Sequence, residues 1–173
     1  TGIKDKLKTL ISYAVWNTGA NDGKTYTYNN IIASKFYELE RSSNTGKICS
    51  SGTYCNDDLE RTTTWTGKVG LMYPSDYGYA TSGGSTTDRA TCLNKELYNW
   101  RDSSVSDCEN NDWLLSSGQW TLSPNANSSG AYYAFYVYSY GRADYVCYGF
   151  EVRPVVYLSP SVGIQSGDGS SSN

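Results

Sequence analysis

Apolar positions recur at helical spacing at the start of the chain and at strand spacing towards its end. Ile3, Leu7, Leu10, Ile11, Ala14 and Val15 share one face of a helix over residues 3–15, with Lys4, Asp5, Lys6 and Lys8 opposite. Gly19, after Trp16-Asn17-Thr18, marks its stop. A turn-rich stretch leads into a second helix from about Asn30 to Arg41, carried by Ile31, Ile32, Phe36 and Leu39. Residues 42–64 read as loop. Lys68 to Tyr73 is a strand that Pro74 stops, and Asp76 heads a polar turn, Tyr77-Gly78-Tyr79. A short helix is expected around Thr87 to Trp100, with Asp88 as its cap and Leu93 and Leu97 inward. Short strands follow at Asp112–Leu115 and Gln119–Leu122, then a polar loop over Asn125–Gly130. A strand at 131–140, a turn at Gly141, a return strand at about 144–149 and a last strand at Val152–Leu158 complete the chain before a flexible tail. Two early helices followed by short antiparallel strands and long irregular loops make this an α+β domain.

The segment from Ala131 to Tyr148 departs from ordinary alternation. It holds seven of the chain's seventeen tyrosines. With period two, Phe135, Val137 and Ser139 fall on one face and Tyr136, Tyr138 and Tyr140 on the other. A half-buried strand normally turns small polar or charged groups to water, so a row of phenols points to a recognition surface. Tyrosine offers a broad, stiff contact area with a hydroxyl that tolerates water. The alternative is a strand buried on both faces, in which each hydroxyl needs a partner. On the recognition reading the contact residues are Tyr132, Tyr136, Tyr138, Tyr140, Arg142, Asp144, Tyr145 and Tyr148: six aromatic anchors with one cation and one anion, suited to a protein patch or to stacking on sugars.

Composition narrows the classes. The 173 residues fit one domain, and 38% apolar content suffices for one modest core. With 18% charged residues and a net charge of −3, there is no basic face for nucleic acid. No apolar run is long enough to span a membrane, and no signal peptide is visible. The start at Thr1-Gly2-Ile3 points to a trimmed ectodomain. Histidine is absent, which removes the commonest general base and zinc ligand. No two carboxylates are spaced as an acid–base pair. Of the five cysteines, Cys49 with Cys55 and Cys92 with Cys108 form the simplest disulfide pairs, although four cysteines allow three connectivities. Zinc is the rival, but there is no C-x-x-C and no histidine to complete a site. Cys147 is left over inside the tyrosine segment.

Several chained motifs carry a resemblance. Val69-Gly-Leu-Met-Tyr-Pro-Ser-Asp-Tyr-Gly-Tyr-Ala80, Asn111-Asp-Trp-Leu114, Trp120-Thr-Leu-Ser-Pro124, Val152-Arg-Pro-Val-Val-Tyr-Leu158 and Ser166-Gly-Asp-Gly169 resemble a family of surface proteins of gut Firmicutes, often preceded by a prepilin-type signal. Their order also resembles the C-type-lectin-like fold, in the branch shared with formylglycine-generating enzymes. The resemblance covers residues 44–169. It implies a single lectin-like domain over 1–169, with residues 1–16 the remainder of a longer pilin-type helix whose missing apolar half anchored the protein, and 170–173 a flexible tail. It further implies an extracellular or cell-surface location and a core of Trp65, Trp113, Trp120, Val137, Phe150, Val152 and Val155. Arg153, before Pro154, is expected to lock a turn or pair with a carboxylate. Asp76 is expected to cap a turn, with calcium ligation the alternative. Glu109-Asn-Asn-Asp112, beside Trp113, is the better place for a structural calcium, the one cofactor the chain suggests. The lectin sugar-binding triplet is not recognisable.

The mixture of Tyr, Phe, Ser, Asp, Ala, Arg and Cys at 132–148, just before Gly149-Phe150-Glu-Val-Arg153, is similar to the variable regions that diversity-generating retroelements rewrite. Ordinary drift is the alternative. The expected function is therefore a non-enzymatic, adhesin-like domain engaging protein or glycan on another cell, a phage or a host surface. A pilin-like structural subunit, its tyrosine face packed on a neighbour, is the alternative. A formylglycine-type enzyme needs a reactive cysteine pair near the C-terminal core, where only Cys147 lies.

Overall fold

The computed structural model describes residues 4–18, 21–22, 31–41, 64–83, 87–101, 108, 117–127, 130–138, 141–145 and 148–163. No helix forms over 3–15. Helix α1 is a single turn, Asp5–Lys8, and Leu7 and Leu10 stay exposed. An isolated helix of this length needs an apolar face packed on something, and Leu7 and Leu10 are not buried. From Ile11 the chain is extended. Ile11 bridges Leu158, Ser12 N donates to Tyr157 O at 2.9 Å, and Ser159 N donates to Leu10 O at 2.7 Å. Strand β1, Ala14–Asn17, lies antiparallel to β3, Thr64–Gly67, with Trp16 opposite Trp65. Tyr13, Val15 and Trp16 are strong strand formers, and burying Trp16 while exposing Val15 follows period two. Strand β2, Asn21–Asp22, comes next.

Helix α2, Ala33–Arg41, forms where the apolar spacing predicts it, with Ile31, Ala33 and Phe36 buried. Strand β4, Val69–Leu71, pairs antiparallel with β9, Pro154–Val156. Pro74 ends β4's extension as expected, but Tyr77-Gly78-Tyr79 is no polar turn. Pro74–Tyr79 is helix α3, with proline in its first turn and Tyr77 buried. Gly78 permits the approach of α3 to α2: a Cβ there would collide with Ala33 Cβ. The helix expected over 87–100 is split into α4, Arg89–Leu93, and a 3₁₀ turn, Leu97–Arg101. Asp88 caps α4, accepting from Thr91 N at 2.7 Å, and Leu93 and Leu97 point inward as expected.

The main sheet runs β2-β5-β6-β7, from β5 (Gln119–Asn127), β6 (Gly130–Val137) and β7 (Gly141–Tyr145). β5 is longer than the sequence suggests and passes through Pro124. A register shift between Trp120 and Pro124 interrupts its pairing with β6, the kind of irregularity at which proline is tolerated in a sheet. In that stretch Leu122 N donates to Met72 O at 2.8 Å instead. On its other edge β5 pairs in parallel with β2 at Asn125–Ala126 and with β8, Glu151–Val152, at Gln119–Trp120. Gly141 is not a turn residue but the first of β7, opposite Val137.

One core joins α2, α3, α4 and the 3₁₀ turn to one face of β6. Phe36 meets Phe135 edge to face at 5.3 Å, and Tyr77 lies 5.8 Å from Trp100. The Cys92–Cys108 disulfide sits in this core, with Cα atoms 5.5 Å apart. The mixture of helices and small, largely antiparallel sheets is α+β. Of the expected core, Val137 is buried, Val155 packs against the cluster, and Trp120 and Phe150 are half-buried. Trp65, in the two-stranded β1–β3 pair, and Val152, in β8 at the margin of the main sheet, are exposed. Trp113 lies outside the described residues.

Candidate functional site

Alternation correctly separates the two faces of β6, but at Tyr136 both faces are covered. Phe135 and Val137 turn into the helical core. Tyr136, on the opposite face, is only 5% exposed. Its ring stacks on Phe150 at 4.3 Å with 19° between planes, and Trp120 closes the group edge-on at 6.0 Å from Tyr136 and 4.9 Å from Phe150. The expectation that Tyr136 faces solvent is thus corrected. The chain after β7 folds back over the second face of the sheet, pinned by Glu151 N donating to Gly118 O at 2.9 Å. Gly118 makes room for this, because a Cβ there would lie 2.7 Å from the Phe150 ring.

Two of the predicted contact residues present large exposed rings, Tyr138 at 45% and Tyr148 at 53%. For Arg142, Asp144 and Tyr145 the backbone register alone is described, and Tyr132 is placed in β6. Arg142 stands opposite Tyr136, Asp144 opposite Ala134 and Tyr145 opposite Tyr133. Directly opposed residues share a face, so positions 142 and 144 belong with 136. Position 145 belongs to the alternate set with 135 and 137, not with Tyr136 as the sequence suggests. Tyr140 lies outside the described residues.

A second feature has no counterpart in the sequence analysis. A cavity of about 540 Å³ opens beside the end of α2, lined by Tyr37, Arg41, Met72, Asp76, Ala80, Arg153, Pro154, Val155 and Tyr157. Behind it lies a buried polar cluster. Arg41 Nη1 donates to Ser75 Oγ at 2.8 Å, and Ser75 Oγ donates in turn to Glu40 Oε2. Ser123 Oγ reaches Glu40 Oε1 at 3.5 Å. Arg41 Nη2 is paired with Asp76 Oδ1, while Asp76 Oδ2 accepts from Tyr73 N at 2.8 Å and caps α3. The guanidinium also lies over the rings of Tyr37 (4.4 Å) and Tyr73 (5.0 Å).

Burial pushes the Glu40 carboxyl up to about 8, against the opposing pull of Ser75 and Arg41. Burial works to lower Arg41, but Asp76 and Glu40 together hold it above the ordinary arginine value. Burial likewise pushes Tyr73 up to about 12; its hydroxyl is held by Asn17, accepting from N at 2.9 Å and donating to O at 3.1 Å. Ser75 is buried and engaged on both sides, so the cluster anchors Arg41 rather than offering a nucleophile.

No family model, curated protein or solved structure matches the chain.

The remaining sequence candidates fall out as follows. Asp76 caps as expected, within a helix, and both of its oxygens are engaged by protein donors. Among the described residues no group of three or more acidic or cysteine side chains is arranged to hold a metal ion. Glu109-Asn-Asn-Asp112, Cys49, Cys55 and Cys147 lie outside those residues. Cys92 and Cys108 are paired. Among the described residues Arg153 meets no carboxylate; its Nε donates to the buried amide of Gln119 at 3.1 Å. The polar cluster behind the cleft left one trace in the sequence. Glu40 follows Phe36 by four residues, which places a carboxylate on the apolar face of α2. No helix of the described residues is long and apolar enough to cross a membrane.

Proposed function

We propose that this chain is a cell-surface ligand-binding domain on a C-type-lectin-like scaffold, with Tyr138 and Tyr148 as its contact rings and Tyr136 as part of the platform beneath them. The observation that carries this reading is the pairing of two exposed phenols with an immobilised support: Tyr136, Phe150 and Trp120 packed on one face of β6, and Phe135 and Val137 in the core on the other. Stiff aromatic contacts on a pre-ordered base lose little entropy on binding. The partner class is a protein or glycan on another cell, a phage or a host surface, with no catalysis and no nucleic acid involved.

The test is capture of glycan arrays and of bacterial and epithelial cell surfaces by wild type and by the Tyr138→Ser/Tyr148→Ser double variant. The expected result is at least a roughly ten-fold loss of capture, as for removal of central aromatic contacts, at an unchanged melting temperature. Tyr136→Ser should instead lower the melting temperature. Equal capture by the double variant removes the proposal. A variable-region origin for 132–148 is part of the same proposal. A reverse-transcriptase gene and a near-repeat of the 130–150 coding segment beside the locus would support it, and absence of both would end it.

One observation favours the structural-subunit reading. Tyr13 and Val15, two positions apart on one face of the β1 arm, are both exposed, and such a pair of apolar side chains suits burial against a neighbouring subunit. On that reading Val15→Asp blocks assembly while the tyrosine variants do not.

A further inference from the structure

We propose that the cleft bounded by α2, α3 and β9 binds a small monocarboxylate with an apolar, ring-sized body, its carboxylate on Arg153 and its ring against Tyr37 and Tyr157. The volume of about 540 Å³ suits a small organic ligand. Charge selects the sign. Arg41 and Asp76 neutralise each other, and both Asp76 oxygens are taken by Arg41 and Tyr73 N. Glu40, beneath them, is protonated at neutral pH because burial holds its carboxyl up at about 8. Arg153 is left as the cation lining the cavity without a carboxylate among the described residues. Its Nε is used by Gln119 Oε1, which fixes the guanidinium plane, and its two terminal nitrogens keep their donors for a ligand. A planar guanidinium held this way matches the two oxygens of a carboxylate.

The walls select the body. Tyr37 and Tyr157 are 42% and 46% exposed, and each is braced from behind, Tyr37 by Tyr79 at 4.9 Å and Tyr157 by Trp16 at 5.2 Å. Met72, Pro154 and Val155 add apolar surface. A sugar acid fits less well. Its several hydroxyls each need a partner, whereas Arg41 and Asp76 are already engaged and, Arg153 aside, the other side-chain polar groups of the lining are the two phenols of Tyr37 and Tyr157. A dianion fits less well too, with one unmatched cation and the Asp76 carboxylate nearby.

Isothermal titration with 3-phenylpropionate, its neutral amide, glucuronate and N-acetylphenylalanine tests the site. The expected result is binding of 3-phenylpropionate with a Kd of about 1 mM or tighter, with the amide and glucuronate at least about ten-fold weaker. Comparable affinity for N-acetylphenylalanine would assign the natural ligand to a peptide C-terminus, and its failure to bind would assign it to a free acid. Arg153→Gln should lose about ten-fold or more, Arg153→Lys should be intermediate, and Tyr157→Ala should weaken both acids. Should Arg153→Gln not fold, the acid-against-amide comparison on wild type and the Tyr157→Ala variant still decide. The proposal is overturned if 3-phenylpropionate does not bind at about 10 mM, if the amide or glucuronate binds as well, or if a folded Arg153→Gln binds unchanged. Among the described residues, none of 132–148 lines the cleft. The Tyr138→Ser/Tyr148→Ser variant should therefore bind 3-phenylpropionate like wild type, so this site and the tyrosine surface fail or stand separately.

Discussion

Glu40 is the residue whose behaviour departs furthest from its solution chemistry. Its carboxyl sits near 4.5 when the chain is unfolded and near 8 in the fold, because burial outweighs the attraction of Arg41 at 3.5 Å. Between those values the folded state holds a proton that the unfolded state has lost. The Glu40 contribution is therefore fully present below about pH 4.5, declines as pH rises towards 8, and is flat beyond. Denaturant unfolding across that range, for wild type and Glu40→Gln, should show the difference between them falling with pH by up to about 1.4 kcal/mol per unit. A difference that stays flat over that range would mean that Glu40 is ionised in the fold and paired with Arg41. Residue-scale legibility was uneven for a related reason. Period two assigned Tyr136 to the face opposite Phe135 and Val137, and this is correct. What covers that face depends on Phe150, fourteen positions on, which local alternation does not encode.

At the scale of elements, signals contained in a few neighbouring residues were the ones that could be read. The Asp88 cap, the stop at Pro74 and the apolar face of α2 all appear where local chemistry puts them. The helix over 3–15 does not form. Its stripe was real, but Ser12 and Ile11 find partners in Tyr157 and Leu158, and that pairing prevails over intrinsic preference. The contact of α2 with α3 depends on Gly78, where any side chain meets Ala33. Gly78→Ala should lower stability by about 1–3 kcal/mol through overpacking, seen as a reduced denaturation midpoint. An unchanged midpoint would mean that the two helices separate freely.

For the whole molecule, the class was legible and the topology was not. Short apolar runs after two early helical stretches indicate α+β, whereas one edge of β5 takes both β2, about a hundred positions earlier, and β8, about thirty later. The cleft was hidden for the same reason, since α2, α3 and β9 converge from distant parts of the chain. The Cys92–Cys108 link, of sequence separation 16, is the covalent constraint on this arrangement among the described residues. The Cys92→Ser/Cys108→Ser variant should lose about 3 kcal/mol of unfolding free energy in the chain-entropy model, and unaltered unfolding would show that the core alone fixes the loop. The ladder joining residues 10–12 to 157–159 has one more consequence, for engineering. It leaves the chain's two outer arms about a strand spacing, ~4.8 Å, apart. Grafted through those arms into a hairpin of a carrier protein, the domain would splice in without stretching its host.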